Sequence, residues 1–273
     1  MPLTHSDLAD TFPLGVIANQ LENFQVPLGD FDPVGDWEQT YAQVTVGQAG
    51  SARVGQVRLR RQQGGTLFHV EYEKPGAAGS LHRETADVTC VADALSTPTH
   101  WTLRCETVTA ADGKLVPDTR IEKTGTVKGD VLEIADSRAR RKLPKPAAFT
   151  LNWLLFDVVQ RLPREPFEPL RFTLLDDFDQ PKPNLTLAFW QTTELLLGGK
   201  RVQQQAWEQL EKGRVRRTVW GREGDQPVRL AAYSLLGPGT VPWAYHVGDH
   251  GRLLFATAGL EAYVLQPPPP KAP

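Results

Sequence analysis

The sequence is poor in the residues that most often announce a chemistry. It has two cysteines and one methionine in 273 residues, and its 30 basic side chains nearly balance 32 acidic ones. A net charge of −2 gives no general attraction to nucleic acid or to an anionic membrane. No apolar run approaches the ~18 residues that a spanning helix needs. The G-x-S-x-G nucleophile elbow, the P-loop, G-x-G-x-x-G and H-E-x-x-H are all missing, so no cofactor is expected. An enzyme is not thereby excluded, because catalytic triads need not be local in sequence. The opening MPLTHSDLADTF has neither a basic n-region nor an apolar h-region. The expected setting is the periplasm or cell envelope if a leader has been removed, and the cytoplasm otherwise.

What is present is an ordinary globular composition, 40% hydrophobic and 23% charged. Most of the chain alternates apolar and polar residues with period two. One stretch does not: Ala147 to Leu162, AAFTLNWLLFDVVQRL. On a helical wheel Leu151, Leu155, Val158 and Leu162 fall on one side, and Phe149, Trp153 and Phe156 on the other. Only Thr150, Asp157 and Arg161 form a polar stripe. A helix apolar over most of its circumference is buried on most of its sides. The expected fold is mainly β: a large curved antiparallel sheet, a half-barrel, with one central buried helix over 147–162. The expected limits are an N-terminal helix and loop segment over 1–35, the half-barrel over 36–265, and a disordered proline-rich tail over 266–273. Leu14, Ile17, Leu21 and Phe24 mark one face of the short N-terminal helix.

Turn chemistry supplies registers. Gly64-Gly65 closes a hairpin that sets Leu59 opposite Val70, Val57 opposite Tyr72 and Arg61 opposite Phe68, with Arg58 facing Glu71 on the other side. Gly129-Asp130 sets Val127 opposite Leu132, Gly125 opposite Ile134 and Lys123 opposite Asp136. Lys212-Gly213 sets Leu210 opposite Val215 and Glu208 opposite Arg217. Strands are further expected in PLRFTLLDDFD, NLTLAFWQTTELLL, VRLAAYSLL and, as one last strand, RLLFATAGLEAYVLQ. Joined mostly by short turns, they argue against a βαβ parallel sheet. If the hairpin ADVTCVAD–ALSTPT–HWTLRCET is symmetric about Thr97 and Pro98, Cys90 and Cys105 face one another and can form a disulfide. Otherwise they are two small buried hydrophobes.

Several clusters admit both a functional and a plain reading. His246, Asp249 and His250 in YHVGDHGRL form a metal pair with a carboxylate, or simply a glycine-rich turn; structural zinc usually takes three or four protein ligands. Asp30, Asp32 and Asp36, and again Asp176, Asp177 and Asp179, resemble parts of a calcium site, yet calcium needs six or more oxygens. Aspartates beside glycine and proline more often cap turns, so no metal site is assigned. The basic runs RLRR (58–61), RARRK (138–142) and RVRR (214–217) read as solvated strand faces rather than a nucleic-acid surface. Tryptophans 37, 101, 153, 190, 207, 220 and 243 either line a ligand cavity or fill the wide space under a curved sheet, the commoner use of such residues. If a ligand site exists, its expected wall is Phe149, Trp153, Phe156, Trp190, Trp207 and Trp220.

The strand order from about residue 40 to 265, and RRTVWGREGDQPVRLAAY (216–233) in particular, resembles the lipoprotein-carrier-like half-barrel proteins of bacterial envelopes. There a tryptophan-bearing strand turns through a charged, glycine-containing tip into a strand that rejoins the sheet. The resemblance implies a hydrophobic cavity for lipid or lipoprotein acyl chains. It transfers no residue role, and the sequence lacks a lipobox cysteine. The leading expectation is therefore a non-enzymatic binding protein whose partner is a hydrophobic small molecule or lipid. The alternatives are a barrel-type hydrolase or isomerase acting on a bulky hydrophobic or sugar substrate, with His100 or His246 beside a carboxylate, and a structural interaction module with a filled interior.

Overall fold

A computed structural model describes residues 17, 20, 24–27, 29–47, 50–196, 202–210, 213–221 and 227–267; at 46–47, 50–52, 193–196, 202–210, 213–221 and 227 it describes the backbone alone. The expected N-terminal helix falls mostly outside these residues, as does the tail from 268. In chain order the strands are β1 (Trp37–Gly47), β2 (Gly50–Gln62), β3 (Leu67–Pro75), β4 (Ser80–Cys90), β5 (Pro98–Thr109), β6 (Ile121–Lys128), β7 (Val131–Asp136), β8 (Arg140–Pro144) and β9 (Phe149–Leu151). After the short helix α1 (Leu155–Val158) come β10 (Leu170–Asp176), β11 (Gln180–Leu196), β12 (Val202–Leu210), β13 (Gly213–Gly221), β14 (Pro227–Leu236), β15 (Trp243–Gly248), β16 (Leu253–Ala258) and β17 (Glu261–Leu265).

All are joined in one curved, mainly antiparallel sheet. From β8 each strand pairs with the one before it back to β1; β1 pairs β17, and the ladder continues through β16, β15 and β14 to β11, β10 and β9. The sheet therefore wraps round with β8 and β9 as its free edges. The β12–β13 hairpin stands on β11.

The hairpin registers at Gly64-Gly65 and Gly129-Asp130 are those expected: Leu59 pairs Val70, Arg61 pairs Phe68, Val127 pairs Leu132 and Lys123 pairs Asp136. Here left-handed backbone at Gly64, Gly65 and Gly129 and the apolar alternation demand the same pairing. The β12–β13 hairpin closes one residue earlier than expected, which shifts each partner by two, with Leu210 opposite Gly213 and Glu208 opposite Val215. The last expected strand is two, because Gly259 at φ 58° turns the chain between β16 and β17.

The expected helix over 147–162 is much shorter. Phe149–Leu151 is strand β9, paired in parallel with Thr173–Leu175, and α1 covers Leu155–Val158 before a single 3-10 turn over Val159–Arg161. A free edge of β10 offers hydrogen bonds to the first segment, and tertiary pairing overrides local helical rhythm. The parallel β9–β10 pair, linked through residues 152–169, is a crossover that the short-turn argument did not anticipate. The burial inference holds: Phe149, Leu155, Phe156, Val158 and Val159 are all at most 1% exposed. This segment is a plug in the concavity of the sheet.

The polar stripe of the plug faces protein, not water. Asp157 is 1% exposed, and its Oδ1 lies 2.9 Å from Arg61 Nε, an ion contact off hydrogen-bond geometry. Its Oδ2 accepts from Ser96 Oγ at 2.6 Å and from Arg161 at 2.8 Å. Arg61 also donates to the carbonyls of Val34, Gly35 and Gly64. Of the RLRR run, Arg58 and Arg60 are on the outer face, paired with Glu38 and Glu71. Arg61 instead shares the inward row of Val57 and Leu59, and is 4% exposed.

The Cys90–Cys105 disulfide does not form, and both thiols are free. Cys105 pairs with Glu84 and Cys90 with Pro98. Glu84 lies six residues before Cys90 along β4, a separation of about 20 Å at ~3.3 Å per residue. The loop is longer than assumed. Asp93 caps the backbone N–H groups of Leu95 and Thr97, and Ser96 at φ 48° reaches down to Asp157.

Strands β15 to β17 are buried on both faces. Tyr245, Ala256 and Tyr263 form the inner row; Ala232, His246, Phe255 and Val264 form the outer one. Phe24 packs on Phe255 with ring centroids 4.7 Å apart, so the segment before β1 covers this outer face. That cover explains why LLFATA and AYVL are continuously apolar.

Candidate functional site

Above the plug the sheet does not close on itself, and a cavity of about 740 Å³ remains, open to solvent. One wall comes from β3, β4 and β5, the opposite wall from β15 and β17, and the third side from the β10–β11 turn. The floor is Trp153 and Phe156. The third side is held across the gap between the sheet edges. Trp101 Nε1 donates to Phe178 O at 3.1 Å, and Asp179 accepts from Lys123 at 2.9 Å and Arg141 at 2.8 Å.

Aromatic rings meet at the cavity's inner end. Trp153 lies 5.7 Å from Tyr72, 5.6 Å from Phe156 and 5.6 Å from Tyr263, the last edge-on. Trp243 stacks between Tyr245 and Tyr263, with ring centroids 5.8 and 5.9 Å apart. Ala256, between the two tyrosines in the ladder, leaves room for that stack. Three exposed apolar side chains stand at the mouth: Ile121, Val241 and Leu260, 46%, 55% and 58% exposed.

Polar groups are interspersed among the rings, several of them in pairs. Tyr72 donates to Gln43 Oε1 at 2.9 Å, and Gln43 donates to Glu261 at 3.2 Å. His82 Nε2 lies 3.0 Å from Glu84 Oε1. Lys182 pairs with Asp176 at 2.5 Å. Burial, then the charges of Glu84 and Glu261, pushes the Tyr72 hydroxyl up to about 12. Burial raises Tyr263 further, again with help from both carboxylates. Cys105 also lines the space, and burial with Glu84 pushes its thiol up to about 11. A thiol held protonated at neutral pH is not an activated nucleophile.

Of the six expected wall residues, Trp153 and Phe156 line the cavity. Phe149 is fully buried in β9 below it, and Trp190 is half-buried at a bulge in β11, away from the cavity. The side chains of Trp207 and Trp220 lie outside the described residues. Sequence reasoning missed Tyr72, Tyr245 and Tyr263, and named Trp243 among the tryptophans without placing it in the wall. Their signal was present in the alternation of W-x-Y and of E-x-Y, but which face was concave was not.

The histidines named for catalysis are elsewhere. His100 is exposed and meets Thr126 Oγ1 at 3.0 Å. His246 is in strand β15 rather than a turn, 1% exposed on the outer face, with Nδ1 unpartnered. The aspartate clusters serve as turn caps and ion pairs. Asp32 accepts from Val34 N–H, Asp36 from Gly64 N–H, and Asp179 from two cations. Among the described residues no three His, Cys, Asp or Glu side chains converge as metal ligands do, and no helix is long and apolar enough to cross a membrane.

No protein-family model matches the chain, and no curated protein matches it. Among solved structures it is similar to a beta-barrel-like protein of a domain of unknown function, DUF1849, from Brucella abortus. The similarity has 10% sequence identity over 86% of this chain and 97% of that one, and a TM-score of 0.47.

Proposed function

We propose that this protein is a non-enzymatic binding protein that holds an apolar molecule, a lipid or acyl chain, between its sheet and its plug in the cell envelope. The observation that carries the reading is the cavity of about 740 Å³ floored by Trp153 and Phe156. Ligand pockets commonly measure ~300–1,000 Å³ and are mostly apolar with a few placed polar groups. The apolar lip of Ile121, Val241 and Leu260 supports the same reading, because an exposed apolar rim favours transfer of a greasy molecule. A structural module with a filled interior fits such an open space poorly.

The test is titration with a fluorescent acyl probe that carries no charged head, followed also through energy transfer from Trp153 and Trp243. Saturable binding is expected, and Ala258→Phe, which fills the cavity from β16, should weaken it. A probe response that rises linearly and ignores Ala258→Phe removes the reading.

The alternative hydrolase or isomerase has one observation in its favour. The His82–Glu84 pair faces the cavity, and a carboxylate that orients an imidazole is the arrangement a general base needs. Turnover of a hydrophobic ester that is lost in His82→Gln and weakened in Ala258→Phe would favour it.

A further inference from the structure

We infer that the molecule held in this cavity carries a protonated amine on its apolar body, seated against Glu84 and Glu261 beside Tyr72 and Tyr263. The inference rests on the binding reading above and goes beyond it by naming the head group.

Two carboxylates, Glu84 and Glu261, line the cavity together with Tyr72 and Tyr263. Glu84 and Glu261 both act electrostatically on the Tyr72 and Tyr263 hydroxyls, so the four groups share one neighbourhood. Tyr263 is 6% exposed, yet among the described residues its hydroxyl has no hydrogen-bond partner.

The cations present do not satisfy this end. No arginine lines the cavity, Lys123 is held by Asp179 and Lys182 by Asp176. Lys74 stands 4.0 Å from Glu261 and His82 3.0 Å from Glu84, but their side chains are 43% and 39% exposed. Such pairs exchange for another cation at little cost. The rings of Tyr72 and Trp153, which line the cavity, add attraction for an ammonium group, which aromatic quadrupoles favour. A carboxylate or phosphate head would meet two carboxylates and no free guanidinium.

Three ligands of equal chain length decide the point with the full chain: decylamine, decanoate and decanol, each below its micelle concentration, measured by calorimetry. Decylamine is expected to bind at least about tenfold more tightly than decanoate. Glu84→Gln and Glu261→Gln should each weaken decylamine by roughly fivefold and leave decanol unchanged, while Glu122→Gln on the outer face changes nothing. Decanoate binding as tightly as decylamine overturns the inference and keeps the binding reading. Equal losses for amine and alcohol in the Gln variants overturn it too. No saturable binding of any of the three removes the binding reading itself. The wild-type ligand series stands even if a variant fails to fold.

Discussion

Trp101 on β5 donates its indole N–H to the carbonyl oxygen of Phe178 at 3.1 Å, and that bond spans the gap between the two ends of the sheet. It is possible because Gly125, opposite Trp101 on β6, has no side chain. A Cβ at Gly125 would come within 2.0 Å of the indole ring. Gly125→Ala should therefore push the ring off its seat and lower stability by ~1–3 kcal/mol, the usual cost of overpacking. Urea unfolding measures it, and an unchanged midpoint contradicts the close packing.

Asp179 is the second clasp. It accepts from Lys123 at 2.9 Å and from Arg141 at 2.8 Å. Asp179→Ala leaves a half-buried lysine with the carbonyl of Asp177 but no counter-ion, so a loss of ~1–3 kcal/mol is expected. Hydrogen exchange should rise at Leu174–Gln180 and along β6 while β1–β3 stay protected. Protection unchanged at both places argues against a clasp.

Asp157 ties the plug to the sheet through Arg61, Arg161 and Ser96. Asp157→Asn keeps the shape and removes the charge, leaving Arg61 buried without its counter-ion. Breaking one partner of a buried pair typically costs ~3–5 kcal/mol. A thermal melt that moves by less than a degree or two would show that backbone carbonyls alone satisfy Arg61.

His246 sets a pH window. Burial pushes its imidazole from an ordinary 6.5 down to about 4. Between those values the unfolded chain binds a proton that the folded one refuses, so stability falls as pH drops from 6.5 to 4 and is fully present above 6.5. The loss amounts to roughly 3 kcal/mol at ~1.4 kcal/mol per pH unit. His246→Gln should flatten stability across that interval, and a wild-type curve already flat there would contradict the burial.

Both thiols are free, so denatured, non-reduced protein should show two reactive groups by thiol titration. In the native state Cys105, pushed up to about 11, should react slowly at pH 8. No reactive thiol in the denatured sample would restore the disulfide.

Much of the sheet could be read from local pattern. Alternation and the glycines of two turns were enough to pair β2 with β3 and β6 with β7, because a one-residue slip would expose every core side chain on those strands. The β4–β5 hairpin resisted the same logic. Its loop is shaped by Asp93 and by the contact of Ser96 with Asp157, 61 residues away. Arg61 lay on the apolar side of a correctly read register, yet its inward turn depended on a carboxylate nearly 100 residues further on.

By itself the sequence determined a strand-rich chain, the registers of the β2–β3 and β6–β7 hairpins and the burial of the segment around Trp153 and Phe156. These follow from period-two patterning, turn chemistry and the avoidance of water by aromatic rings, all of which act over a few residues. The tertiary structure alone decided that Phe149–Leu151 is a strand, that the sheet wraps and is clasped at Phe178 and Asp179, and that Tyr72, Trp243, Tyr245 and Tyr263 face a common space. Those outcomes depend on which distant segments meet, and the energy of a contact between residues far apart in the chain leaves little trace in the pattern near either one.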